Sequence, residues 1–278
     1  MTKNSNVDIL FVGDLHVGSA FSLLPREFKG SAGNVLNFNI GQEYLIGCWE
    51  DFLDSVPKQL DALFFNGDIV DGQNWHSRGR FLSEVDPEFQ ARAAHELVEP
   101  LVDKVKVRDG SKPIYISRGS RYHSGRGARD EEFFGALIQP RKNWDGRYTR
   151  PWTKLMIGNV MLDIAHHQSS TIRYRSMPLE REMGFLFERF GRSRKQVPEK
   201  VVIVRSHVHG SLRVYEECGV TSISLPAWKL QDEFAQSSKW PNRWVSAEIG
   251  SAMVRIRGGR VEVVPYTYDH PSFGEETL

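Results

Sequence analysis

Asp8-Ile9-Leu10-Phe11-Val12-Gly13-Asp14-Leu15-His16-Val17-Gly18 is the stretch whose reading decides the fold. Ile9 to Val12 is a short apolar run of branched and aromatic side chains, as a buried strand requires. Gly13 breaks the run, and Asp14 and His16 follow two residues apart. In an extended segment, residues i and i+2 point to the same side. A carboxylate and an imidazole are therefore expected to face one point at the strand's C-terminal edge, where open α/β sheets bind ligands. One such pair is weak, because surface turns contain Asp-x-His by chance. The chain, however, repeats the pattern.

Downstream, residues 41–58 carry Tyr44, Leu45, Cys48, Trp49, Phe52 and Leu53 at the spacing of a core-facing helical stripe. Leu60 to Phe65 reads as a second buried strand and runs into Asn66-Gly67-Asp68-Ile69-Val70-Asp71-Gly72. A helix is expected from about Pro87 to Val105, with Asp86 as its N-cap and Pro87 in its first position. Pro113 to Ser117 is a third strand, leading into Arg118-Gly119-Ser120-Arg121-Tyr122-His123. A short helix should begin near Ala128, with Asp130, Glu131 and Glu132 in its first turn to suit the dipole. The order βαβαβα predicts parallel strands joined by crossovers.

After Trp152 strands dominate. Lys154 to Ile157 and Val160 to Ala165 flank Gly158-Asn159, a hairpin signal, and the second leads to His166-His167. A helix is expected over 179–190 and a buried strand over 201–204, followed by Ser206-His207-Val208-His209. Further strands are expected at 212–217, 219–225, 245–256 and 261–267, mostly as hairpins. One domain over residues 1–278 results, with loop insertions at 19–40 and 229–243. The first of these leaves the Asp14 turn and would form either one wall of a cleft or a surface insertion.

Composition excludes several classes. The 278 residues are 40% apolar and carry a net charge of +1, so no global field draws the chain to nucleic acid or anionic membrane. The N-terminal residues lack the apolar core of a secretory signal, and no apolar run is long enough to span a bilayer. Cys48 and Cys218 are far apart and are expected to be free. A cytosolic protein is the expectation.

Five strand ends now carry polar pairs: Asp14/His16, Asp68/Asp71, Ser120/His123, His166/His167 and His207/His209. Six of the nine histidines lie there, and His76, His95 and His270 lie elsewhere. Mixed carboxylate and imidazole donors suit Mn, Fe, Zn or Co. The number of donors exceeds the need of one ion, and a pair of ions about 3.5–4 Å apart would use them all for hydrolysis at phosphorus.

Gly13-Asp14-Leu15-His16, Gly67-Asp68-Ile69-Val70-Asp71-Gly72 and Ser206-His207-Val208-His209 resemble, in order and spacing, three blocks of the calcineurin-like metallophosphoesterases. The resemblance covers about residues 7–210. It implies an α/β fold, a four-layer αββα sandwich of two mixed sheets flanked by helices, and two divalent metal ions between the sheets. By the resemblance Asp14, His16 and His209 bind one ion, Asp68 bridges, and His166 and His207 bind the other, with His166 preferred to His167. The third block departs from the family's Gly-Asn-His. Either Ser120 fills the asparagine's place as a ligand, or His123 enters as ligand or general acid. The set of candidates is thus metal ligands Asp14, His16, Asp68, Ser120, His166, His207 and His209, catalytic residues Asp71 and His123, and phosphate-binding residues Arg121, Arg173 and His167. The substrate expected is a phosphate mono- or diester. Arginines near the ligand blocks and Trp228, Trp240 and Trp244 would suit a nuclease. The Asn-to-Ser departure would suit a scaffold that has lost its chemistry.

Overall fold

The computed structural model describes residues 6–73, 78–167, 177–193, 196–231 and 248–271. In chain order these form β1 (Val7–Val12), α1 (Ile40–Ser55), β2 (Ala62–Phe65), α2 (Pro87–Lys104), β3 (Ile114–Ser117), a single turn α3 (Arg121–Ser124), α4 (Arg129–Ile138) and β4 (Thr149–Arg150). β5 (Thr153–Ile157), β6 (Val160–Ile164), α5 (Met177–Ser193), β7 (Lys200–Arg205), β8 (Arg213–Glu217), β9 (Val220–Ser224), β10 (Ile249–Arg257) and β11 (Arg260–Tyr268) follow. The strand expected over 245–256 is seen from Ile249, and 245–247 lie outside the described residues.

Two mixed sheets result. One has the order β11-β10-β1-β2-β3-β4, with β1 to β4 parallel to one another and β10 antiparallel to β1. The other has the order β5-β6-β7-β9-β8, with β6, β7 and β9 parallel. Alternation of side chains along the strands decides the layers. In β1, Ile9 and Phe11 pack with Phe64, Leu162, Val202 and Ile223 to form the core between the sheets. Leu10 and Val12 face the other way, onto Trp49 and Phe52 of α1 and Ala94 and Leu97 of α2. In β7, Val202 and Val204 enter the inter-sheet core while Val201 and Ile203 pack on Met183, Leu186 and Phe190 of α5. These are the four layers of an αββα sandwich.

Local chemistry fixes the helix starts. Asn39 and Gln42 cap α1 reciprocally, and Asp86 accepts from the Glu88 amide with Pro87 in the first turn of α2. The first turn of α4 departs from a simple dipole role: Glu131 is fully buried, and Glu132 accepts from the Tyr148 and Thr149 amides. The segment from Ser19 to Asn39 has no helix or strand, yet it is anchored. Ser22 Oγ donates to the His16 carbonyl at 2.6 Å, Gln42 Nε2 donates to the Ser19 and Ser22 carbonyls, and Leu23 is buried in the core. Among the described residues no helix is long and apolar enough to cross a membrane.

Candidate metal centre

The parallel strands β1, β2 and β3 all end at one edge of the first sheet, and β6 and β7 end at the same side of the second. The five polar pairs therefore meet. Pairing between the first two strands continues past their ends, with the Asp14, His16 and Val17 amides donating to the Gly67, Asp68 and Ile69 carbonyls at 2.9–3.0 Å. Asn66 ties the sheets together: its Nδ2 donates to the Ala165 carbonyl at 3.2 Å and to Ser206 Oγ at 2.6 Å.

The turns are not the extended segments expected from the i, i+2 spacing. Asp14, His16, Asp68, His207 and His209 all have left-handed backbones, with φ of 50°, 47°, 48°, 78° and 46°. Such a conformation costs about 1–2 kcal/mol for a residue with a Cβ. It persists here because the cross-strand hydrogen bonds above, and the His207 amide donating to Asp14 Oδ2 at 3.0 Å, hold each turn in place. Two residues in this conformation around one ordinary residue aim both side chains inward. Gly67 and Gly119 make the approach possible: a Cβ on Gly67 would sit 2.6 Å from His166 Nδ1, and one on Gly119 would collide with Asp68 Oδ1.

Donor atoms gather in two groups that touch. Asp14, His16 and His209 form one, with His16 Nε2 2.9 Å from His209 Nε2 and His209 Nε2 3.3 Å from Asp14 Oδ1. His166 and His207 form the other, with His166 Nε2 3.2 Å from His207 Nδ1 and 3.1 Å from Asp68 Oδ2. One donor atom each from Asp14, Asp68 and His166 lies within 4.8 Å of the others, so the groups share a boundary at the two carboxylates.

Hydrogen bonds set the tautomers. The Asn66 carbonyl can only accept, so His166 Nδ1 carries a proton and donates to it at 2.7 Å. His16 Nδ1 donates to Asp71 Oδ1 at 3.0 Å. In both rings the neutral form then has its lone pair on Nε2, aimed at the centre, as metal-binding histidines do. His123 is placed likewise: Nδ1–H donates to the Asp71 carbonyl at 2.9 Å. The single turn α3 carries it there, with its ring centroid 4.3 Å from that of His16.

Charge follows from crowding. Burial opposes ionisation of Asp14 and Asp68, but attraction to His166 prevails and holds both well below the usual carboxylate range. Burial also opposes the charged form of His166, and Asp68 and Asp14 outweigh it, pushing its pKa up to about 10. His16 is raised too, because Asp14 and Asp71 overcome burial and the Lys229 charge. Burial, helped by His16, pulls His123 down to about 4, and burial lowers His167.

The donors fit divalent ions. Asp14 Oδ1 is fully buried and makes no hydrogen bond among the described residues, a costly state for a carboxylate oxygen unless a cation meets it. Two imidazole nitrogens facing each other across 2.9 Å also suit a shared cation better than each other.

Other candidates are placed as follows. Ser120 Oγ donates to both oxygens of Asp68 at 3.1 Å. His167 is exposed beside His207, and Arg121 is exposed at the start of α3. Arg173, Arg175, His76, Trp240 and Trp244 lie outside the described residues, as does most of the 229–243 loop. Arg205 does not face the centre; it is buried against Asp163 at 2.7 Å and Glu182 at 2.9 Å, tying α5 to its sheet. Trp228 is core, stacked edge-on to Trp49 with Nε1 donating to Ser251.

Two site residues escaped sequence reasoning. Lys229, 8% exposed, places Nζ 3.3 Å from Asp71 Oδ1, the oxygen that also accepts from His16. Glu131, fully buried, accepts from the Gly119 amide; burial and then Asp68 push its pKa up to about 8. Neither stands in a motif, and Lys229 reaches the site only because residue 229 pairs with Ser22 across a bridge.

No family model and no curated relative matches the chain. Solved structures similar to it include Vps29 of Entamoeba histolytica, as a single mutant, at 13% identity and a TM-score of 0.40 over 94% of this chain and 98% of that one. Vps29 of Chaetomium thermophilum is 10% identical with a TM-score of 0.44, over 95% and 98% of the two chains. A dimetal phosphatase from Danio rerio is 10% identical with a TM-score of 0.37, over 94% and 99%. Likenesses this distant bear on neither family nor activity.

Proposed function

We propose that the protein is a metal-dependent phosphoesterase of the calcineurin-like kind, with two divalent ions, Mn, Fe, Zn or Co, between its sheets. The observation that carries this reading is the pair of donor groups meeting at Asp14 and Asp68, with Asp14 Oδ1 fully buried, 3.3 Å from His209 Nε2 and without a hydrogen bond among the described residues. Asp14, His16 and His209 would hold one ion and His166 and His207 the other, with Asp68 between them. When bound, such ions lower the pKa of water and stabilise charge on phosphoryl oxygens. The chain's residues do the rest. Asn66 and Asp71 lock the rings of His166 and His16, so the donors are preorganised. Asp71 also orients His123, whose Nδ1–H donates to its carbonyl and whose Nε2 is left without that proton. Arg121 and Arg173 are assigned to the phosphate, to which guanidinium forks are matched. The substrate class is a phosphate mono- or diester.

The experiment is hydrolysis of nitrophenyl phosphate and bis-nitrophenyl phosphate by the full chain with each divalent ion in turn. Turnover that requires an added ion and stops with a chelator supports the proposal. Folded protein that turns over neither ester with any ion refutes it.

A further inference from the structure

Ser120 stands where the family has an amide ligand, and its hydroxyl is engaged by Asp68. His123 lies on the His16 side of Asp68: its ring centroid is 4.3 Å from that of His16, and one donor atom each from His16, Asp68 and His123 lies within 4.8 Å of the others, so it serves the first ion's side of the centre. The group holding the second ion would thus be one donor short. A third imidazole lies at hand. β6 ends at Ile164, so the alternation of side chains does not apply to His166 and His167. The His167 ring centroid lies 4.9 Å from that of His166 and 4.6 Å from that of His207, tilted by 39° to the latter. One nitrogen from each of the three rings lies within 4.8 Å of the others.

We propose that His167 is a ligand of the ion held by His166 and His207, supplying the donor that Ser120 does not. Three imidazoles and the Asp68 carboxylate make a four-donor set suited to Zn, Co, Fe or Mn. His167 is exposed, so its ring can rotate the short distance to a common point without disturbing the core. This assignment replaces the phosphate-binding role expected for His167. It also gives the second ion a nitrogen-rich site and leaves the first, with Asp14, His16 and His209, richer in oxygen.

The proposal rests on the two-ion reading, and metal titration separates the two. The full chain and its His167→Ala variant are titrated calorimetrically with Mn and with Co, and the cobalt absorption spectrum is recorded. Loss of a partner one shell further out already costs about 10–100-fold in metal affinity. His167→Ala should therefore weaken one of two sites at least that much, alter the cobalt spectrum, and leave the other site intact. The weakened site should be the one that His207→Ala loses. Two unchanged affinities and an unchanged spectrum would overturn the assignment while leaving the two-ion reading standing. Unchanged ion affinities with weaker binding of inorganic phosphate would overturn it too, and return His167 to the substrate. Absence of any ion binding by the unsubstituted chain would refute the phosphoesterase reading and this assignment with it.

Discussion

His166 Nδ1 lies 2.7 Å from the carbonyl oxygen of Asn66, a bond that crosses from one sheet to the other and fixes which nitrogen of His166 faces Asp68. Without an ion, Asp68 and Asp14 pull a second proton onto that ring, raising its pKa to about 10. An ion must displace this proton, so metal uptake is linked to pH. Between about pH 7 and 9, uptake should release roughly one proton per chain from His166. Calorimetry in buffers of different ionisation enthalpy measures the number.

Stability of the metal-free protein should follow the same linkage. A histidine whose folded pKa lies above its ordinary 6.5 adds stability below 6.5, and that stability is lost as pH rises through about 10. Glu131, raised to about 8, acts in the same direction between its ordinary 4.5 and 8. Thermal melts of the chelated protein should therefore fall in Tm as pH rises from 6.5 to 10. Glu131→Gln, which still accepts from Gly119, should flatten the part of the fall below pH 8. A Tm that climbs over this range would contradict the charges assigned to the centre.

The two late histidines should part company. His209 sits with Asp14 and His16, and His207 with His166, although only Val208 separates them in sequence. His209→Ala should lose one ion and His207→Ala the other. Metal titration of both variants, alone and combined, decides it: the double variant should lose both sites.

Much of this was legible in the sequence. Apolar runs ending in Gly-Asp or His pairs marked β1, β2, β6 and β7, because buried parallel strands read as unbroken hydrophobic stretches. Asp86-Pro87 and Gly158-Asn159 marked a helix start and a hairpin through their backbone preferences. The left-handed turns at Asp14 and His16 were not legible, since hydrogen bonds from other segments, the Gly67 to Ile69 carbonyls, Ser22 and His207, stabilise a conformation their side chains disfavour. Lys229 was not legible either, because an isolated lysine carries no pattern and its role depends on a distant bridge.

Lys229 invites its own test. Its Nζ sits 3.3 Å from the Asp71 oxygen to which His16 donates, so it supports the orientation of His16. Lys229→Met should weaken the ion bound through Asp14 and His16 by about 10–100-fold, the cost of losing such a supporting group. The ion at His207 should be unaffected, and Lys229→Arg should recover part of the loss. Equal weakening of both sites would indicate general damage instead.

His123 has two possible duties, and they give different results. Its donor atom lies within 4.8 Å of those of His16 and Asp68, and burial keeps it neutral at pH 7, which favours a ligand over a proton donor. As a ligand, His123→Ala should lose affinity for one ion, and excess Mn should restore part of the rate for every ester alike. As a proton donor, the variant would keep both ions and lose about 10²–10⁴ in rate on poor leaving groups, with little loss on nitrophenol esters.

The central claim is that Asp68 stands between two ions. Crystals of the full chain grown with Mn, measured at an energy where manganese scatters anomalously, test it most directly. Two peaks are expected about 3.5–4 Å apart, one against Asp14, His16 and His209, the other against His166 and His207, with the Asp68 carboxylate touching both. A single peak, no peak, or two peaks with Asp68 touching neither would contradict it.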